Sequence, residues 1–128
     1  MKLIERKTHG FLDYFVGLML IPAPWLFDFA RGGYETTVFV ALGVATIIYS
    51  FFTNYELGVV RMIPFRTHLA IDVLNGLLLA VSPWIFGFSE HVYLPHLIIG
   101  IAELGVVALT VARNYTGTSN EHVRLSTH

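Results

Sequence analysis

Four long apolar blocks limit what this chain can become. They cover residues 9–29, 36–53, 68–88 and 92–112, each close to the ~20 residues a helix needs to cross hydrocarbon at 1.5 Å per residue. Asp13 interrupts the first, Asp72 the third and Glu103 the fourth, while the second carries no charge. Hydrophobic residues make up 55% of the 128 and charged residues 13%, about half the ~25% of soluble domains. A soluble globule of this length cannot hide so much apolar surface, so the lipid bilayer is the expected partner. Long apolar runs without alternation, and only four of them, exclude a transmembrane β-barrel. The chain reads as all-α: a single membrane domain over 1–128, folded as a four-transmembrane-helix bundle.

Charge sets the expected orientation. Lys2, Arg6, Lys7, Arg61, Arg66, Arg113 and Arg124 flank the blocks on one side, and Arg31 alone lies on the other. By the positive-inside rule both termini are then cytoplasmic. The short loops at 30–35 and 89–91 make two tandem antiparallel hairpins. The connection at 54–67 is expected along the inner interface, and 116–128 as a polar cytoplasmic tail. The stretch Pro22-Ala23-Pro24-Trp25 offers no good signal-peptide cleavage site, and the first block recurs later in the chain, so it is expected to belong to the fold.

A second pattern is internal. Sliding the sequence by 59 residues gives 11 identities in the 27 positions from Thr8 to Tyr34. Among them Thr8 meets Thr67, His9 meets His68, Asp13 meets Asp72, Gly17 meets Gly76, and Pro24-Trp25 meets Pro83-Trp84. Repeat one is assigned to 8–55 and repeat two to 67–115. Asn54-Tyr55 matches Asn114-Tyr115 at offset 60, which points to one inserted residue, absorbed by a π-bulge in the fourth helix. Two crossings per copy keep both copies in one orientation, with a pseudo-twofold axis along the membrane normal.

The second copy contains Ser82-Pro83-Trp84, preceded by His68, Asp72 and Gly76. This resembles the SPW repeat family of small bacterial membrane proteins, built from tandem two-helix units. The resemblance covers about 8–115 and implies a fold in a bacterial plasma membrane, with no established activity. The first copy departs from the pattern, with Ala23 in place of the serine and Asp28 in place of Gly87.

The candidate polar site is His9, Asp13, His68 and Asp72, joined by Glu103, His96 and Asn75. His, Asp and Gly at i, i+4, i+8 form one helix stripe in each copy, and a carboxylate in a membrane should face the protein interior. Two readings stay open. In the structural one, Thr8 and Thr67 cap the helices, each histidine sits at the first helical position, and an i,i+4 His–Asp hydrogen bond satisfies both partners within one helix. In the other, the four residues ligate a divalent metal or relay protons, or His9 and His68 ligate haem.

Glu103 breaks the two-fold pattern, since its counterpart is Val44 or Gly43. It shares a face with His96 and Gly100. It either carries a proton, binds a cationic ligand, or is a protonated acid bonded to Asn75, Thr46 or Tyr49. Pro24, Trp25, Pro83 and Trp84 read as helix breaks and outer-interface anchors, or as an aromatic ligand platform. Asp28, Arg31, Glu35, Glu90 and His91 read as solvated loop groups, with a His91/His96 metal pair as the sharper alternative.

Nucleophile, phosphate-loop, zinc-protease and dinucleotide motifs are missing from the sequence. Cysteine is absent, which excludes disulfides, iron–sulfur clusters and thiolate chemistry, and a net charge of −1 gives no reason to expect nucleic acid. The expected function is a structural or accessory membrane module without catalytic activity, with a homo-oligomer or another membrane protein as partner. The alternative is a ligand-handling protein.

Overall fold

The computed structural model describes residues 4–126, and side chains through 111. The described residues contain five helices: α1 (Arg6–Leu20), α2 (Ala23–Leu26), α3 (Tyr34–Phe51), α4 (Phe65–Ile85) and α5 (Leu94–Ser126). Strands are absent among them; one isolated parallel bridge joins Thr53 to Ile63. Helix α1 packs along α3, α4 along α5, and α3 against α4, while α1 and α5 meet sparsely.

The burial pattern is inverted. His9, Asp13, His68 and Asp72 are 1%, 8%, 0% and 6% exposed, whereas Phe15 and Leu74 are 61% and 66% exposed. Water would reverse both, because ionisable groups gain hydration and apolar ones lose by contact with it. Lipid favours this arrangement. Three helical segments are long and apolar enough to cross a membrane: Tyr34–Phe51, Phe65–Ile85 and Leu94–Val111.

The expected first crossing is divided. Helix α1 has 15 residues and stops at Leu20, and α2 resumes for four. Proline explains the difference from α4. Pro22 and Pro24 lack the N–H groups that would bond the carbonyls of Leu18 and Leu20. In α4, Pro83 likewise leaves the Leu79 carbonyl without its amide, but Ser82 Oγ donates to that carbonyl at 2.8 Å, and the helix continues to Ile85. Ala23 has no hydroxyl to do the same. The serine of the Ser-Pro-Trp motif thus repairs the break its proline makes.

Beyond each proline the chain turns identically. Asp28 and Gly87 adopt φ of 58° and 74°, and Phe29 N–H and Phe88 N–H reach back to the Pro24 and Pro83 carbonyls at 2.9 and 2.8 Å. This is the closure that glycine makes cheaply and aspartate tolerates.

Close backbone approach sets the pairing of helices. A Cβ on Gly43 would stand 2.9 Å from the Gly17 carbonyl oxygen, and one on Gly100 would stand 2.6 Å from that of Gly76. Small residues at such crossings let packing replace the missing hydrophobic force in lipid.

Several expectations need correction. The helices begin three residues earlier than read, with Glu5 and Pro64 at the cap positions, so Thr8 and Thr67 lie inside the first turn and cap nothing. Helix α5 contains no π-bulge among the described residues. Asn114 lies inside α5, whereas Asn54 lies beyond the end of α3, so that sequence match pairs unlike positions. The polar segment read as a tail continues α5 as far as Ser126. Lys2 and the side chains of Arg113 and Arg124 lie outside the described residues.

Candidate functional site

The four residues of the repeated stripe meet. His9 Nε2 lies 2.8 Å from Asp72 Oδ2 and 3.3 Å from Asp13 Oδ1. His68 Nε2 lies 2.8 Å from Asp13 Oδ2 and 3.1 Å from Asp72 Oδ2. Each histidine therefore bonds most closely to the aspartate of the other helix. The expected i,i+4 pairing within one helix is the longer contact both times. The reason is geometric: with the stripes of α1 and α4 facing each other, an imidazole reaches across as easily as it reaches one turn along.

Both histidines use their second nitrogen in the same way. His9 Nδ1 is 2.9 Å from Thr110 Oγ1, and His68 Nδ1 is 2.7 Å from Thr53 Oγ1. The two threonine hydroxyls donate their protons to backbone carbonyls four residues back, Thr110 to Val106 at 2.7 Å and Thr53 to Tyr49 at 2.5 Å. Each hydroxyl oxygen is thus left to accept, and each Nδ1 carries the proton it donates. Every Nε2 is thereby turned toward the carboxylates.

The carboxylates have further donors. Tyr49 Oη donates to Asp72 Oδ1, and Asn75 Nδ2 donates to Tyr49 Oη at 3.1 Å. Tyr55 Oη approaches Asp13 Oδ2 at 3.4 Å. Asn75 thus joins the site through Tyr49.

The 52–64 connection forms a cover over this cluster. Tyr55 is buried and packs so closely on Gly10 that a Cβ there would stand 2.8 Å from the ring. Phe65 stacks on Tyr55 and on His68, at 5.9 and 6.0 Å between centroids. Tyr14 Oη donates to the Leu57 carbonyl at 3.0 Å, and Arg6 pairs with Glu56 at 2.7 Å. Arg6 holds the Glu56 carboxyl below the usual carboxylate range, mainly by hydrogen bonding, although both groups are exposed. Burial raises the Tyr55 phenol above its ordinary value.

On its other side the cluster borders a cavity of about 290 Å³ in the sparse seam between α1 and α5. His9, Asp13, Asp72 and Glu103 line it among apolar side chains. The partners expected for Glu103 are engaged elsewhere: Asn75 on Tyr49, Tyr49 on Asp72, and Thr46 on the Leu42 carbonyl at 2.7 Å.

His96 does not belong to this site. It sits beside Phe29, Phe39 and Phe88, and its Nε2 donates to the Glu35 carbonyl at 3.0 Å. His91 Nε2 likewise donates to the Phe29 carbonyl at 3.0 Å, so the pair assembles no metal site. Glu35, read as solvated, is 4% exposed and accepts the N–H groups of Arg31 and Gly33 at 2.7 and 3.1 Å. Trp25 on α2 and Trp84 on α4 stand exposed, each 16 residues after the histidine of its copy. The arrangement leaves no space for a haem plane between the histidines, since the two rings meet edge to face and both carboxylates occupy the side of each Nε2 that an iron would need.

From the sequence Tyr49 is expected only as a partner of Glu103, and none of Thr53, Thr110 and Tyr55 is expected at all, yet all four belong to the cluster. A signal for the threonines exists: Gly43 precedes Thr53 by ten residues, as Gly100 precedes Thr110.

A helical, apolar fold with its ionisable groups inside is a membrane protein's architecture. A family model, the SPW repeat domain, matches residues 7–111, and the chain belongs to that family. Comparison with curated proteins and with solved structures returned no match.

Proposed function

We propose that this chain is a structural or accessory module of a bacterial plasma membrane, in which reciprocal His–Asp contacts lock two copied hairpins together. In this reading α1 and α2 make one crossing over residues 6–26, paired with α3, and α4 pairs with α5. Four crossings then relate by a pseudo-twofold axis along the membrane normal, with both termini cytoplasmic. The distribution of basic residues supports that orientation.

The observation that carries the reading is the exchange of partners, His9 to Asp72 and His68 to Asp13, each at 2.8 Å. Polar groups in lipid must find partners within the protein, and here the best partners lie on the other hairpin. The contacts therefore fix which hairpin sits beside which.

Because the chain has no cysteine, single introduced cysteines report sidedness without background. In whole cells, Arg31→Cys and Glu90→Cys should react with an impermeant thiol reagent, and Arg61→Cys should react only after lysis. Labelling of positions 31 and 61 from the same side removes the four-crossing reading.

A further inference from the structure

We infer that His9, Asp13, His68 and Asp72 form a site for one divalent transition metal of the zinc class. Four donor atoms, one from each residue, lie within 4.8 Å of one another, and all four residues are buried. Zinc bonds of about 2.0 Å in a tetrahedron place donors about 3.3 Å apart. The Nε2-to-carboxylate distances here are 2.8, 3.3, 2.8 and 3.1 Å, counting both oxygens of Asp13, and with one donor per residue the set spans up to 4.8 Å, so an ion would draw the outermost donors together by about 1–1.5 Å. Two nitrogens and two carboxylate oxygens suit Zn²⁺ and neighbouring divalent ions, and do not suit Cu⁺ or Ca²⁺.

The surrounding hydrogen bonds are a separate argument. A metal-binding histidine ordinarily donates its other N–H to an acceptor, which fixes the ring and presents the ligating lone pair. Thr110 does this for His9 and Thr53 for His68, because each hydroxyl has already given its own proton to a carbonyl. In the metal-free protein the same hydroxyls satisfy each buried Nδ1–H, so the arrangement that serves the empty site also fits the loaded one. Tyr49 supports Asp72 in the same manner. Charge also balances, since two neutral imidazoles, two carboxylates and one M²⁺ sum to zero, which keeps the site compatible with a low-dielectric setting. The cavity between α1 and α5 is lined in part by His9, Asp13 and Asp72, so the carboxylates have unfilled space beside them.

The test uses the full chain in detergent, stripped with chelator and titrated with Zn²⁺ or Co²⁺ alone. The expected result is saturable binding of one Zn²⁺ per chain and the strong visible spectrum of four-coordinate Co²⁺, erased by Zn²⁺. Thr110→Val should weaken Zn²⁺ binding about tenfold or more. No saturable binding, or the weak spectrum of six-coordinate Co²⁺, overturns the proposal on the wild-type protein alone. So does binding unchanged in the Asp13→Asn, Asp72→Asn double variant, which would place the ion elsewhere. These outcomes leave the membrane-module reading standing, because that reading concerns the metal-free protein.

Discussion

His9 Nε2 stands closer to Asp72 on α4 than to Asp13 on its own helix, 2.8 Å against 3.3 Å. That half-ångström turns a local hydrogen bond into a tertiary one. It is matched by His68, which favours Asp13 over Asp72 at 2.8 Å against 3.1 Å. Helix choice and side-chain chemistry are thus decided at the same four residues.

Thr53 and Thr110 should be worth similar amounts. Replacing either with valine keeps the shape but leaves a buried imidazole N–H unpaired, at a cost of about 1–3 kcal/mol. Serine at the same position should recover most of the loss. Denaturation in mixed detergent, read by helical circular dichroism, measures both.

Glycine positions should divide sharply. Gly100→Ala puts a methyl 2.6 Å from the Gly76 carbonyl oxygen and should cost about 1–3 kcal/mol. Gly105 has nothing within 4 Å of an added Cβ, so Gly105→Ala should be neutral or stabilise by up to about 1 kcal/mol. The same unfolding experiment separates them.

Ser82→Ala should destabilise α4 by about 1 kcal/mol, because the Leu79 carbonyl then loses the donor that replaced the missing proline amide. A serine at Ala23 should not extend α1 in the same way, because Pro22 removes a second amide one turn from the end. Amide exchange near residues 79–83 reports the change.

Asp28→Gly should stabilise the chain by roughly 0.5–1 kcal/mol, since it relieves a left-handed backbone at φ 58° that Gly87 adopts freely. Gly87→Asp should cost a comparable amount. Thermal unfolding of both variants provides the comparison.

The sequence made some of this legible and hid the rest for a definite reason. The His, Asp and Gly stripe could be read because its i, i+4, i+8 spacing lies within one helix. The exchange of partners could not, because it depends on how far one helix slides past another. The slide differs from the sequence match: Tyr34 and Tyr93 are 59 residues apart, but Thr53 and Thr110, which serve His68 and His9 alike, are 57 apart. The Gly17–Gly43 and Gly76–Gly100 approaches carry the same 57-residue relation in the second helix of each pair. Identities in the turns therefore misplace the helices by about half a turn. The helix starts differ from the local signal as well: Thr8 and Thr67 have the right chemistry for caps, but the helices begin at Arg6 and Phe65.

A double-mutant cycle in chelator tests the exchange directly. His9→Gln is combined once with Asp72→Asn and once with Asp13→Asn, and each coupling energy is read from reversible unfolding. The His9–Asp72 coupling should exceed the His9–Asp13 coupling by about 1 kcal/mol. A larger coupling within α1, or additivity to within about 0.5 kcal/mol for the pair that spans α1 and α4, would contradict it.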